Sequence, residues 1–338
     1  MSVTVRVRQL DRPLAVAPGQ TILDAALAAG LDYPCGCTSG NCGACKSVLL
    51  SGEVEMLEYS EFALSEEERD AGYVLACRAQ PKGPCEVAWV EADDVAMHPR
   101  RDLVCRVIEL RDATHDIRVL RLAVESGGPL AFSAGQYAHL VFDRQPGRDY
   151  SMANRPDDPV LEFHVRLVPG GAVTPYVKDR LALGDQVKVK GPFGTSYWRE
   201  AHKGPILALA GGSGLAPIKS IVDSALKSGR GQSLMLYFGV REERDLYLED
   251  HFRALAKAHS NFKFVPVLSQ PGAPTARRTG NLADVVAADL GAADLAGAKS
   301  YLAGPPIMVE SAVKALTAKG LKRTDCHADA FYTQADRR

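Results

Sequence analysis

The chain has 338 residues, 46% hydrophobic and 24% charged, and its 40 basic and 41 acidic side chains leave a formal net charge of -1. At roughly 100–200 residues per domain, this length predicts two or three domains. No basic stripe points to a nucleic-acid partner, and no apolar run approaches the roughly 20 residues that span a bilayer. The opening MSVTVRVRQL alternates valine with polar residues and reads as a first strand rather than a signal peptide, so a cytoplasmic protein is expected.

Residues 1–30 predict a hairpin, VTVRVRQ and RPLAVAP, then a helix capped by Thr21 and closed on Gly30. A cysteine-rich loop follows, and SVLLSGEVEML is strand-like. LSEEERDAG predicts a short helix with Ser65 and Glu68 as its capping box. YVLACRAQP reads as a strand carrying Cys77, and residues 93–102 as a linker after a first domain of residues 1–92. From 103 to 200 short strands alternate with Gly/Pro turns (LVCRVIELR, IRVLRLAV, QYAHLVF, LEFHVRLV, DQVKVKGP), interrupted by one helix, VTPYVKDRL. That is the pattern of a small antiparallel barrel. From 201 to 338 the rhythm becomes strand, helix, strand, helix, which predicts a doubly wound parallel sheet.

Four cysteines crowd PCGCTSGNCGAC. Cys37, Cys42 and Cys45 are spaced C-x4-C-x2-C, and Cys77 comes 32 positions after Cys45. A disulfide framework belongs to small secreted chains. Zinc takes four thiolates as two close pairs, and here no second pair exists. Three thiolates on one loop and a fourth far away is the spacing of a plant-type [2Fe–2S] cluster. Gly40, Gly43 and Ala44 let the loop wrap tightly with its N–H groups turned to sulfur. Cys35 reads as a buried thiol beside the cluster. Cys85, Cys105 and Cys326 read as small core hydrophobes. This region resembles a plant-type ferredoxin domain, which implies a β-grasp fold.

In the barrel region RDYS places Arg148, Tyr150 and Ser151 together, and PGGAVT places Gly170, Gly171 and Thr174 at a helix start. Arginine makes bidentate contacts to phosphate, helix N-termini bind anions, and glycines allow close backbone approach. Both segments resemble flavin-binding signatures of the ferredoxin–NADP reductase superfamily. The resemblance implies a six-stranded FAD-binding barrel, with Arg148 on the pyrophosphate, Tyr150 on the ring system, and Ser151 near its reacting nitrogen. His164, Val165 and Arg166 fall on a strand that contacts flavin in that family.

LALAGGSGLAPIKSIV predicts a strand, a Gly-rich turn and a helix, with Gly211, Gly212, Ser213 and Gly214 positioned to meet a dinucleotide phosphate. It resembles the superfamily's nicotinamide motif through Pro217. Gly304 and Pro305 match its second segment, with Ala303 where the family has cysteine. The ending CHADAFY resembles the family's flavin-facing tail, which implies catalytic roles for Asp329 and Phe331 beside Ser151. Phosphate-specific relatives carry Ser-Arg after the third strand. Here Ser269 is followed by Gln270, which favours NADH, although Arg277 and Arg278 stand nearby.

The domain order resembles reductase components of ring-hydroxylating dioxygenases, of the naphthalene, dinitrotoluene and terephthalate type. The resemblance implies an oxidoreductase that takes hydride from NADH onto FAD and passes single electrons through [2Fe–2S]. It implies a monomer whose acceptor is a terminal oxygenase or an intermediate ferredoxin. Reductases of deoxysugar dehydrases or di-iron hydroxylases share the layout, and a zinc-stabilised binding protein is the reading from another class. Between Glu53 and Asp70 eight acidic residues face one basic residue, a surface that suits a basic partner or simply solvent.

Overall fold

The computed structural model describes residues 2–332 apart from positions 32, 36, 37, 42, 62, 91–95 and 97. The chain divides into two compact units, Met1–Val95 and Ala96–Arg338.

The first unit runs β1 (Val3–Val7), β2 (Leu14–Val16), α1 (Ile22–Ala28), β3 (Lys46–Ser51), β4 (Val54–Met56), α2 (Glu66–Asp70), β5 (Tyr73–Leu75), β6 (Ala79–Pro81) and β7 (Cys85–Trp89). Strands β2-β1-β7-β3-β5 form one sheet, and β4 pairs with β6. Alternation sets the faces: Val5 and Val7 are buried, and Thr4 and Arg6 are exposed. Thr21 caps α1 by accepting the Asp24 N–H, and α1 lays Ile22, Leu23, Ala25 and Ala26 into the core. The Ser65–Glu68 capping box of α2 forms as expected. Two expectations are corrected. SVLLSGEVEML breaks at Gly52 into β3 and β4. YVLACRAQP is no single strand: β5 ends at Leu75, and Cys77 rides a turn closed by Arg78 N–H on Leu75 O at 2.8 Å. A strand would point the Cys77 amide along a ladder. The turn points it at Cys45.

The second unit begins inside the segment read as a linker. Ala96 N–H donates to the Tyr197 hydroxyl at 2.7 Å, His98 meets Ser133 at 2.9 Å, and β8 starts at Arg101. Positions 93–95 and 97 of that segment lie outside the described residues. The barrel comprises β8 (Arg101–Asp112), β9 (Ile117–Ser126), β10 (Tyr137–Phe142), β11 (Arg148–Ser151), β12 (Val160–Arg166), α3 (Thr174–Asp179) and β13 (Gln186–Phe193). Its strands run β11-β10-β13-β8-β9-β12, all antiparallel, and a bridge between Met152 and Phe163 brings the two edges together. This is the expected six-stranded barrel, nearly closed.

Then come β14 (Ile206–Gly211), α4 (Leu215–Lys227), β15 (Leu234–Val240), α5 (Glu249–Ala258), β16 (Phe262–Leu268), β17 (Arg278–Thr279), α6 (Leu282–Asp289), α7 (Ala292–Leu295), β18 (Lys299–Gly304), α8 (Pro306–Ala318) and β19 (Cys326–Ala330). The sheet order is β17-β16-β15-β14-β18-β19, and every pairing is parallel. All six residues of β14 are buried, as suits a strand covered on both faces. The order reverses between β14 and β18, so the crevice outside their C-terminal ends is the switch point where such sheets bind ligands. One apolar core runs from this sheet into Ile117, Ala134 and Trp198 of the barrel segment, which is why barrel and sheet form one unit.

Candidate cofactor sites

In the first unit the Cys77 amide donates to Cys45 Sγ at 3.4 Å, and both residues are 4% exposed. Buried soft sulfur with an amide N–H aimed at it is the donor chemistry an iron–sulfur cluster takes. Cys37 and Cys42 lie outside the described residues. The loop is pressed onto its neighbours: a Cβ at Gly40 (φ +79°) would stand 2.8 Å from Arg78 Cγ and 2.9 Å from Tyr59 Cβ. Cys35 is buried in the same core as Tyr33, whose hydroxyl bonds Ser47 at 2.6 Å. Cys85, Cys105 and Cys326 are buried, and burial pushes the Cys105 thiol up to about 12.

In the second unit Arg148, Tyr150 and Ser151 ride β11, the edge strand paired with β10. Burial pushes the Tyr150 hydroxyl up to about 12, so it stays protonated, and its ring meets Phe142 edge-on at 6.2 Å. Arg148 Nη1 donates to Gly147 O at 2.8 Å. Thr174 ties the Gly170–Gly171 turn by donating to Val168 O at 2.7 Å, and no atom lies within 4 Å of a Cβ at Gly170. Val165 points into the barrel core, so its backbone is what it can offer a ligand.

At the switch point the glycines divide by function. A Cβ on Gly214 would lie 2.1 Å from Ala303 O and 2.7 Å from Gly304 N, and one on Gly211 would lie 2.4 Å from Met308 Sδ. These glycines let the two loops touch. Gly212 (φ +53°) differs: the nearest atom to its Cβ position is Arg166 Nη1, at 4.0 Å. It is the glycine whose Cβ side is open. Ser213 stands in the single-turn helix with it. Pro217 sits in the first turn of α4, where its missing N–H costs nothing. Pro305 precedes α8.

The barrel and the sheet meet here. Ser151 Oγ donates to Asp329 Oδ2 at 3.2 Å, although the residues are 178 positions apart. Phe331 N–H donates to Gly304 O at 2.8 Å, so the C-terminal tail lies along the Gly304–Pro305 turn. Arg166 is aimed by Asp116 at 3.1 Å.

Apart from His164, the residues that brace this junction were not candidates from the sequence. Lys219 of α4 reaches the barrel, within 3.4 Å of Glu162, 3.3 Å of Asp223 and 3.1 Å of Ala153 O. Ser220 donates to Asn154 O at 2.6 Å. Burial alone would raise the Glu162 carboxyl, but the His164 hydrogen bond and the Lys219 ammonium outweigh it and hold the group at about 2. An ionised Glu162 only accepts, so His164 Nε2 donates to it, at 3.2 Å. Burial keeps His164 neutral, which leaves Nδ1 to accept from the Tyr247 hydroxyl at 3.0 Å. That hydroxyl also lies 3.5 Å from Gly212 O. The His164 side chain is thus spent between Glu162 and Tyr247. A faint signal existed, since Lys219 and Asp223 stand at helical i, i+4 spacing on an otherwise apolar face.

Three segments match known domain families: residues 5–82 the 2Fe-2S iron-sulfur cluster binding domain, 104–198 the oxidoreductase FAD-binding domain, and 208–314 the oxidoreductase NAD-binding domain. The chain is 39% identical to the reductase component of the naphthalene 1,2-dioxygenase system of Pseudomonas putida, covering 95% of this chain and 96% of that protein. It is 40% identical to the reductase subunit of an aromatic O-demethylase from an Amycolatopsis species, covering 98% of each. The crystal structure of the Amycolatopsis cytochrome P450 reductase GcoB superposes with a TM-score of 0.78 at 40% identity, covering 97% of this chain and 98% of that one.

Proposed function

The chain belongs to the iron–sulfur flavoprotein reductase components of oxygenase systems, and we propose that it is the single-chain electron donor of an oxygenase acting on an aromatic compound. It is an oxidoreductase with FAD-, NAD- and 2Fe-2S-binding domains, and the zinc reading of the thiol loop falls away. With its groups bound, the chemistry supplied is hydride acceptance from NADH, division of the electron pair, and onward transfer one electron at a time.

Within this reading Cys37, Cys42, Cys45 and Cys77 hold the cluster. Arg148 and the Gly170–Thr174 turn hold the flavin pyrophosphate, and Tyr150 and Ser151 orient its ring. Gly212 gives the nicotinamide phosphates access to the turn before α4. Asp329 and Phe331 close the far side. The functional regions are 1–92, 103–200 and 201–338, acting as a monomer in the cytoplasm. Among the described residues no helix is long and apolar enough to cross a membrane.

The observation that supports the proposal is the Ser151–Asp329 hydrogen bond, which joins the barrel's edge strand β11 to β19 beside the C-terminal end of β18 in the parallel sheet. The test is an anaerobic visible spectrum of the purified protein titrated with NADH, followed by addition of an oxidised Rieske-type dioxygenase component. Bleaching of both flavin and cluster bands, then their return on adding the oxygenase, is the expected result. Flavin bleaching without iron in the protein would sink it. Return of the bands only with a cytochrome P450 O-demethylase would select the acceptor type that the names of the Amycolatopsis relative and of the Amycolatopsis reductase structure carry together.

A further inference from the structure

Two arginines at the rim of the parallel sheet have no part in the sites above. Arg277 and Arg278 end the loop after β16, where β17 pairs with Val267 and Leu268. In a sheet of this topology the dinucleotide crosses the switch point and its adenosine half extends over the ends of the neighbouring strands, here β15 and β16. A 2′-phosphate on that adenosine needs a cation there, and a 2′-hydroxyl does not.

Arg277 is in place but occupied. Its Nε donates to both oxygens of Glu243, at 2.7 and 2.9 Å. Its Nη1 and Nη2 donate to the two oxygens of Glu249 at 2.6 and 3.0 Å. Glu243 lies in the turn after β15 and Glu249 opens α5, so the guanidinium spans the C-terminal end of β15 with 21% of its side chain exposed. Bidentate charge-assisted pairs are the strong ones, and a phosphate arriving here would have to break two of them and then sit beside two carboxylates. Arg278 is paired with Asp289, and Arg244 with Glu242. Among the described residues of this rim, Arg241 is the cation without an ion pair, and it is exposed.

We propose that Glu243 and Glu249 are specificity-determining residues for the nicotinamide donor: by gripping Arg277 they deny a 2′-phosphate its partner, and so select NADH over NADPH. The idea rests on the reading that this sheet takes the dinucleotide at the β14–β18 crossing.

The experiment measures binding of 5′-AMP and of adenosine 2′,5′-bisphosphate to the holoprotein by calorimetry, beside anaerobic reduction by NADH and NADPH. Releasing Arg277 in E243Q/E249Q should raise affinity for the bisphosphate, relative to 5′-AMP, by roughly tenfold, the worth of one charge-assisted contact. E242Q/D289N adds the same charge to the rim away from Arg277 and should change that ratio by less than about threefold. Adding R277Q to E243Q/E249Q should return the ratio to the wild-type value. Equal gains in the two double variants, or none in E243Q/E249Q, overturn the proposal. So does a bisphosphate affinity that R241Q alone abolishes. If E243Q/E249Q does not melt cooperatively, E243Q alone is measured, and an unchanged ratio is the overturning result. Failure of NADH and 5′-AMP to bind at all would instead refute the reading of the sheet on which the proposal rests.

Discussion

Cys45 and Cys77 meet across 32 residues, and the contact is one backbone amide on one sulfur in a loop of small residues. Ser151 and Asp329 meet across 178 residues, and barrel and sheet are also joined by Lys219, Glu162, Asp223, His164 and Tyr247, of which only His164 was a candidate from the sequence. The first region is built from local chain geometry and the second from a buried polar network between layers. The lesson concerns tolerance. In the thiol loop the ligand itself is what matters. At the junction the bracing behind the site matters as much as the site.

That contrast can be broken in four ways. The largest effect is expected from C77S. Iron should be lost and electron delivery to a one-electron acceptor nearly abolished, while NADH still bleaches the flavin, because the second unit folds on its own core. Iron analysis and stopped-flow reduction check it, and loss of flavin reduction together with iron would show the two units to be coupled. Next is K219M, which strands the buried carboxylates of Glu162 and Asp223. Removing one partner of such a network costs about 3–5 kcal/mol, read as a shift in the denaturant midpoint at unchanged iron content.

Third is a pair of glycine variants. G214A drives a methyl into the Ala303 carbonyl and should cost about 3 kcal/mol, since backbone on both sides cannot yield. G212A meets no atom closer than 4.0 Å and should cost only about 1 kcal/mol of backbone strain. Its loss should appear in nicotinamide affinity instead. Equal destabilisation by the two would refute the division of roles among these glycines.

The smallest effect is in pH dependence. Burial holds His327 down to about 3, and burial also lowers His164. Each group has a folded pKa below its unfolded value of 6.5, so the unfolded chain binds more protons once the pH falls below that point. Their stability contribution is complete above pH 6.5 and is lost on acidification, that of His327 at about 1.4 kcal/mol per pH unit. Between pH 6.5 and 4.5 Glu162, whose folded value lies below its unfolded one, keeps its full contribution and adds no slope. In that window H327Q should remove one proton's worth of slope from the stability profile, and an unchanged slope would refute the assignment.

Much of the architecture was legible because it depends on short-range pattern. The alternation in β1 and β13, the unbroken apolar run of β14 and the two capped helices follow from side-chain period and capping chemistry. The motif residues on β11 and in the turn before α4 were legible for the same reason. What misled was continuity. YVLACRAQP has strand composition throughout, but the contact to Cys45 bends it into a turn. The linker had polar composition, but Tyr197 and Ser133 capture part of it.

By itself, the sequence determined the thiol spacing, the order of thiol-loop domain, barrel and parallel sheet, and which turns carry glycine, because each is written in short-range pattern. Only the tertiary structure decided which glycine is open and which is filled, that Lys219 serves the barrel rather than solvent, and that Arg277 is held by Glu243 and Glu249. Such facts depend on which distant groups share a low-dielectric space, and chain order does not encode that directly.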